Sequence, residues 1–228
     1  NTNTCADMDC SGTCNGNSLI DECDTCDNDY YNDCTDYNIR LDGVDLISFH
    51  GLIEDNSVDK IFDNLKGQTP TIMSENASAI YYNNMWLGSL SEINETSGYW
   101  VLINTIEEGT ADCNRDCNEI HMQGSIPTAL NTVYTLKENS NLISYPHHGS
   151  ASINSAIPIN VKYAIDAILS EGEAAINNNG EWVGGLTDFT GTKGYWFIAN
   201  TAVSFSYNFS DDNMPRIKSS NRIIPEKY

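Results

Sequence analysis

Lysine and arginine are scarce in this chain, eleven against 32 aspartates and glutamates, and the formal charge is −21. A field of that sign repels phosphate backbones and anionic membrane surfaces, so nucleic acid is not an expected partner. No apolar run approaches the ~20 residues a bilayer span requires, and no membrane insertion is expected. No nucleophile elbow, P-loop, HExxH or dinucleotide fingerprint occurs, so the commonly marked chemistries lack a carrier and the chain is not expected to be an enzyme. It opens on Asn1 without a charged-then-apolar leader, so a targeting segment is expected to have been removed or never to have been part of this chain.

What is present is a duplication. Ile72, Ser74, Glu75, Ala79, Ile80, Asn83, Trp86, Gly88, Leu90, Thr96, Gly98, Tyr99, Trp100, Asn104 and Thr105 recur unchanged 96 residues later, from Ile168 to Thr201. Leu46-Ile47-Ser48-Phe49 returns as Leu142-Ile143-Ser144-Tyr145 at the same offset, so the repeated unit is a domain and not a short motif. The chain divides into a Cys-rich head, residues 1–36, and two modules, 37–132 and 133–228.

The head carries Cys5, Cys10, Cys14, Cys23, Cys26 and Cys34 among many acids, with no Lys or Arg. So short and acidic a segment cannot bury a core, and disulfides, metal or both must replace it. Six cysteines allow 15 pairings, and spacing does not choose among them. Asp7, Asp9, Asp21, Asp24, Asp27, Asp29 and Asp33 offer hard oxygen ligands, and calcium is the candidate cofactor. The CxxC of Cys23 and Cys26 lacks the following His of a haem site and the second pair of a zinc site, and its acidic neighbours disfavour a redox thiolate. A structural disulfide role is expected. Eight cysteines in a chain so poor in lysine suggest an oxidising, extracellular setting.

Within the modules the LISF and LISY runs, the aromatic segments opened by Gly98 and Gly194, and the stretches at Trp86–Leu90 and 182–186 read as strands. Val58, Ile61, Phe62 and Leu65 keep helical spacing after Asn56-Ser57, with Gly67 beyond, and specify one short capped helix. Val161 to Leu169 also has helical periodicity. Its partner, residues 65–73, contains Gly67 and Pro70, so Ile168-Leu169-Ser170-Glu171 is assigned to a strand matching Ile72-Met73-Ser74-Glu75, and Asn154 to Pro158 to the shorter helix. The fold class is mostly β: two tandem small β-sandwich or open-barrel domains, each with one short helix, after an irregular disulfide-rich segment.

Two resemblances accompany this reading. Asp9-Cys10-Ser11-Gly12-Thr13-Cys14-Asn15-Gly16, with Asp21-Glu22-Cys23-Asp24-Thr25-Cys26 and Asn32-Asp33-Cys34, looks like the "DCxGxC" repeats of secreted bacterial and phage-encoded surface proteins, distantly similar to thrombospondin type 3 calcium repeats; Asp24 and Asp27 stand where those repeats carry Gly. The pattern "LISF…W.GSL…GYW" resembles modules found in tandem in secreted and surface proteins of marine bacteria, commonly type IX secretion substrates, and in some phages. The resemblance implies a surface location and a structural or adhesive role.

Several residues have both a chemical and a packing reading. Trp86, Trp100, Trp182 and Trp196, with Tyr99 and Tyr195, could stack on sugars, but fixed register is equally what a core requires, and core is the expectation. Tyr81 and Tyr82 are replaced by Asn177 and Asn178 in the second copy and are expected to be exposed. His147-His148 has no copy and reads as a solvated loop, since adjacent residues on an extended segment point apart. Cys113 and Cys117 lie in an insertion-like stretch, Glu107 to Gly124, and are expected to form a local disulfide that stiffens the connector and makes the two modules a rod. Arg216, Lys218, Arg222 and Lys227 cluster at the end of the chain, either as a solvated terminus or as an assembly contact on the Asp-rich surface of a neighbour. The functional expectation is a non-catalytic extracellular protein of a surface layer, filament or appendage that associates with itself; the alternatives are a carbohydrate-binding module of a secreted enzyme, with surface polysaccharide as partner, or a virion surface protein.

Overall fold

The structure, a computed structural model, describes residues 7–20, 25–28, 33–109 and 116–209. In the head, β1 (Leu19–Ile20) and β2 (Cys26–Asp27) form a two-stranded ribbon closed by the Cys10–Cys26 disulfide, whose Cα atoms are 5.8 Å apart. The carboxylate of Asp9 organises the preceding loop: Oδ1 accepts from the N–H groups of Ser11 and Thr13 and from the Ser11 hydroxyl, and Oδ2 accepts from Ser18 N–H.

Module 1 contains β3 (Thr35–Arg40), β4 (Val44–Ser48), β5 (Gly51–Leu52), α1 (Val58–Ile61), a 3-10 helix (Asp63–Gln68), β6 (Thr71–Met73), β7 (Ser78–Tyr82), β8 (Met85–Gly88), β9 (Gly98–Leu102) and β10 (Glu119–Pro127). An antiparallel sheet of order β4-β9-β6-β7-β8 faces a smaller sheet of order β3-β10-β5. Residues of period two on both sheets fill the space between: Ile47, Ile72, Ala79, Tyr99 and Val101 from the large sheet, Ile39, Ile120 and Met122 from the small one. Val58, Ile61, Phe62 and Leu65 close one end of this core. The Ser57 hydroxyl caps α1 by accepting from Lys60 N–H, as the sequence predicts; the α-helical part is a single turn, and Gly67 lies inside the 3-10 continuation instead of beyond it.

Module 2 repeats the plan with β11 (Tyr134–Leu136), β12 (Asn139–Ile143), β13 (Ser150–Ser152), α2 (Ile153–Ala156), a 3-10 turn (Lys162–Ala164), β14 (Ile165–Ser170), β15 (Glu173–Asn178), β16 (Glu181–Gly184), β17 (Asp188–Thr190), β18 (Tyr195–Ala199) and β19 (Val203–Phe205). Its large sheet has the order β12-β18-β14-β15-β16, matching module 1 strand for strand, with the pairs β11-β19 and β13-β17 on the other side of its own core. Residues 168–170 are a strand and α2 is the shortened helix, so the repeat outranked the helical periodicity of Val161 to Leu169. The protein is mostly β, two small sandwiches with short helices.

The unchanged residues have assignable roles in this frame. The Tyr99 hydroxyl accepts from Asn94 N–H at 2.7 Å, and the Tyr195 hydroxyl from Thr190 N–H at 2.6 Å, so each buried ring also ties down the turn before its strand. A Cβ on Gly88 would stand 2.1 Å from Ser78 O and one on Gly184 2.0 Å from Ala174 O, both at positive φ, so only glycine fits where β8 and β16 leave the ladder. Asn83-Asn84 and Asn179-Gly180 all have positive φ and form the two-residue hairpins that join β7 to β8 and β15 to β16.

One expectation about the connector is corrected. Glu119–Pro127 is no linker but β10, the central strand of the small sheet, pairing with β3 and β5. The insertion lies before it and is tied to module 1 by buried Asn118, whose side chain accepts from Ile106 N–H at 3.0 Å and donates to Ile106 O at 2.8 Å.

Candidate functional site

The two modules meet edge to edge across a pseudo-twofold, and the contacts repeat at the offset of the sequence. Ser48 N–H donates to Thr192 O at 3.1 Å, and Ser144 N–H to Thr96 O at 3.2 Å. Leu46 N–H donates to Glu171 Oε2 at 3.3 Å, and Leu142 N–H to Glu75 Oε2 at 3.2 Å. Ile47 bridges Lys193, and Ile143 bridges Ser97. Hydrogen bonding therefore passes from β4 to β9, from the segment before β9 to β12, from β12 to β18, and from the segment before β18 back to β4. This closed ring joins the modules directly, and it replaces the rod held by a stiff connector.

Burial follows from this geometry. Leu46 and Leu142 alternate with the core residues Ile47 and Ile143, so they lie on the outer faces of their sheets, yet they are only 2% and 3% exposed. What covers them is the other module: Leu142 lies over Gly98 and Leu46 over Gly194, where an added Cβ would come within 2.8 and 3.0 Å of the leucine Cδ1. Fully burying a leucine contributes roughly 1.5–3 kcal/mol. The two glycines repeat because any side chain there would fill the space that receives the leucine.

The charges at the junction are not symmetric. On one side Lys137 Nζ pairs with Glu75 Oε1. On the other, Asp45 stands near Glu171, and burial followed by that neighbouring charge raises the Asp45 pKa, even though Asp42 N–H donates to its carboxylate. Module 2 carries Asn141 in place of Asp45, with its amide bonded to both Lys137 N–H and Lys137 O.

Three of the four histidines gather at the same junction. The His50 ring, from the turn between β4 and β5, lies 6.2 Å from that of His148, which lies 5.6 Å from that of His147. His147-His148 is therefore half-buried against module 1 and not a solvated loop. Tyr37 stacks on His50 with ring centres 3.9 Å apart and donates to Gly51 O at 2.6 Å. Burial, with His148 and then His147 adding to it, pushes the His50 pKa down to about 3; burial, then His147, lowers His148. Pro146 occupies the matching position to His50, so no repeat signal marks this cluster.

The aromatic residues divide. Tyr99 and Tyr195 are buried, and Trp86 and Trp182 pack on the edges of the two cores. Trp86 Nε1 donates to Asp59 Oδ1 at 3.2 Å and its ring meets Phe62 and Tyr81. Trp100 and Trp196 alternate with the buried tyrosines and lie half-exposed on the outer faces, cross-strand from Leu46 and Met73 in module 1 and from Leu142 and Leu169 in module 2. Tyr82 is exposed, and Tyr81 leans on Trp86.

Of the residues proposed for calcium, Asp7, Asp9, Asp27 and Asp33 are described, and Asp21, Asp24 and Asp29 lie outside the described residues. The hydrogen bonds to Asp9, the Ser11 hydroxyl foremost, hold its carboxyl below its ordinary pKa. Among the described residues no three His, Cys, Asp or Glu side chains stand together as a metal site. Cys14, Cys34 and Cys117 are disulfide-bonded along with Cys10 and Cys26. Cys5, Cys23, Cys113 and the tail residues Arg216, Lys218, Arg222 and Lys227 lie outside the described residues. A disulfide is consistent with a protein outside the cytoplasm. Among the described residues no helix is long and apolar enough to cross a membrane.

Compared with known proteins, the chain matches no family model, no curated protein and no solved structure.

Proposed function

We propose that this chain is a non-catalytic extracellular protein with a structural or adhesive role, one part of a surface layer, filament or appendage that assembles from copies of itself. The observation that carries the reading is the use made of the duplicated residues: Tyr99, Ile72 and Ala79 build a core, Gly88 and Asn83 shape the sheet, and Leu46, Ser48, Glu75, Thr96 and Gly98 dock one module on the other, each with its copy. Strong identity concentrated in scaffold is what a load-carrying or display protein needs, whereas a reaction centre would place it in converging polar side chains. The resemblance of the modules to tandem units of secreted surface proteins points the same way, and the acidic head supports calcium as a stabilising cofactor. Electron microscopy of the protein with and without calcium tests this: ordered filaments or sheets are expected, and monodisperse single particles under all conditions count against it.

The half-exposed Trp100 and Trp196, at matching positions on the two outer faces, favour one second reading, a carbohydrate-binding unit. Selective binding on a glycan array, abolished by substituting both tryptophans with alanine, would establish it over the first.

A further inference from the structure

We infer that the surface joining the two modules is a self-recognition site, and that the partner it fits, besides the sister module, is a second copy of this chain. The contacts are reciprocal: each module offers a leucine, a serine N–H and a glutamate, and receives them on a glycine, a threonine carbonyl and a leucine N–H. The groups offered and received are the same residue types in both modules, so a module deprived of its sister presents these docking groups to its own copy, while the unduplicated His50–His148 contact is absent from a self-pair. Such a pairing is isologous and closes on itself as a twofold dimer. Inside one chain the sister module acts at an effective concentration of about millimolar, so the intact chain stays closed at micromolar concentration.

The charges rank the two possible self-pairings. A pair of second modules sets Lys137 against Glu171 of the second copy, twice, in place of the single Lys137–Glu75 pair, and Asn141 removes the acid that Asp45 contributes. A pair of first modules instead sets Asp45 against Glu75 of the second copy, twice, with no lysine to offset it. Module 2 is the stronger self-partner.

The test uses the full chain, because the docking faces can be disabled one at a time. Gly98→Arg fills the place where Leu142 docks and leaves the whole module 2 surface intact but unpaired. Sedimentation velocity from about 1 µM to about 1 mM, the range set by the intramolecular effective concentration, reads the outcome. Wild type is expected to sediment as one chain at micromolar concentration, Gly98→Arg as two chains, and the double variant Gly98→Arg/Gly194→Arg as one. Gly194→Arg, which exposes module 1, is expected to dimerise about tenfold more weakly and to recover when Asp45→Asn is added. Leu46→Asp disables the same module as Gly98→Arg by a different residue and keeps the test decisive if Gly98→Arg misfolds. Gly98→Arg and Leu46→Asp both folded by circular dichroism and both monomeric up to the top concentration would overturn the inference, as would dimerisation of the double variant equal to that of the single one. The inference stands on docking geometry and not on the assembly reading, so a chain that forms no filaments but passes this test retains it.

Discussion

The imidazole of His50, in module 1, faces that of His148, in module 2, with ring centres 6.2 Å apart, while His147 stands beside His148. Burial and this mutual proximity depress His50 to about 3 and lower His148. Histidines depressed in the folded state take up protons on unfolding, so the stability they permit is present above their unfolded value of about 6.5 and falls as the pH drops below it. Asp45, raised by burial and Glu171, has the opposite sign but acts only at lower pH, near the carboxylate range. The unfolding free energy from urea titrations is therefore expected to fall steeply between pH 7 and pH 5, by up to about 1.4 kcal/mol per pH unit for each proton taken up. His148→Asn is expected to flatten that slope; an unchanged slope contradicts the assignment.

Tyr99→Phe and Tyr195→Phe each remove the hydroxyl that accepts a turn N–H, from Asn94 and from Thr190. Each change leaves a partly buried donor unpaired and is expected to cost about 1–3 kcal/mol in chemical denaturation. The two sites lie in separate cores, so the costs should add in the double variant if unfolding remains two-state.

Gly88→Ala and Gly184→Ala set a methyl group against a carbonyl oxygen at positive φ. A loss of about 1–3 kcal/mol is expected for each from backbone strain alone, and more from the clash. Gly149, also at positive φ but with open space around its Cβ position, should tolerate alanine better and serves as the comparison.

Asp45→Asn copies into module 1 the residue that module 2 already has in Asn141. Removing the acid beside Glu171 is expected to raise stability at neutral pH by a few tenths of a kcal/mol to about 1 kcal/mol, with the gain shrinking in high salt. Thermal denaturation of both proteins at low and high ionic strength reads this directly; a loss at low salt is the contrary result.

The paired sandwiches were legible because duplication lets one copy correct the other: Gly67 and Pro70 in the first module ruled out the helix that Val161 to Leu169 suggests, and β14 runs there. Strand β10 escaped because the insertion before it breaks the common offset. Phe205 pairs with Tyr134 as Ile120 pairs with Ile39, but Ile120 and Phe205 stand 85 residues apart instead of 96. Strands β7 and β15 were hidden too, although the Asn179-Gly180 hairpin signal was in plain view. The docking surface could not be read at all. A residue repeated for contact between copies looks in sequence like one repeated for contact within a copy; the burial of outer-face Leu46 and Leu142 and the hydrogen bonds of Ser48, Ser144, Glu75 and Glu171 across the junction separate them. The histidine cluster is assembled across the junction from residues without copies, so repetition is silent about it.

The measurement closest to the central claim is amide hydrogen exchange at Ser48, Ser144 and Gly194, whose N–H groups donate across the junction to Thr192, Thr96 and Leu46. If duplicated residues hold the two modules as one docked body, these three amides exchange as slowly as core amides such as Ile93 and Ile103. Exchange as fast as that of exposed Gly149, with the core amides still protected, would show two modules that do not dock and would contradict it.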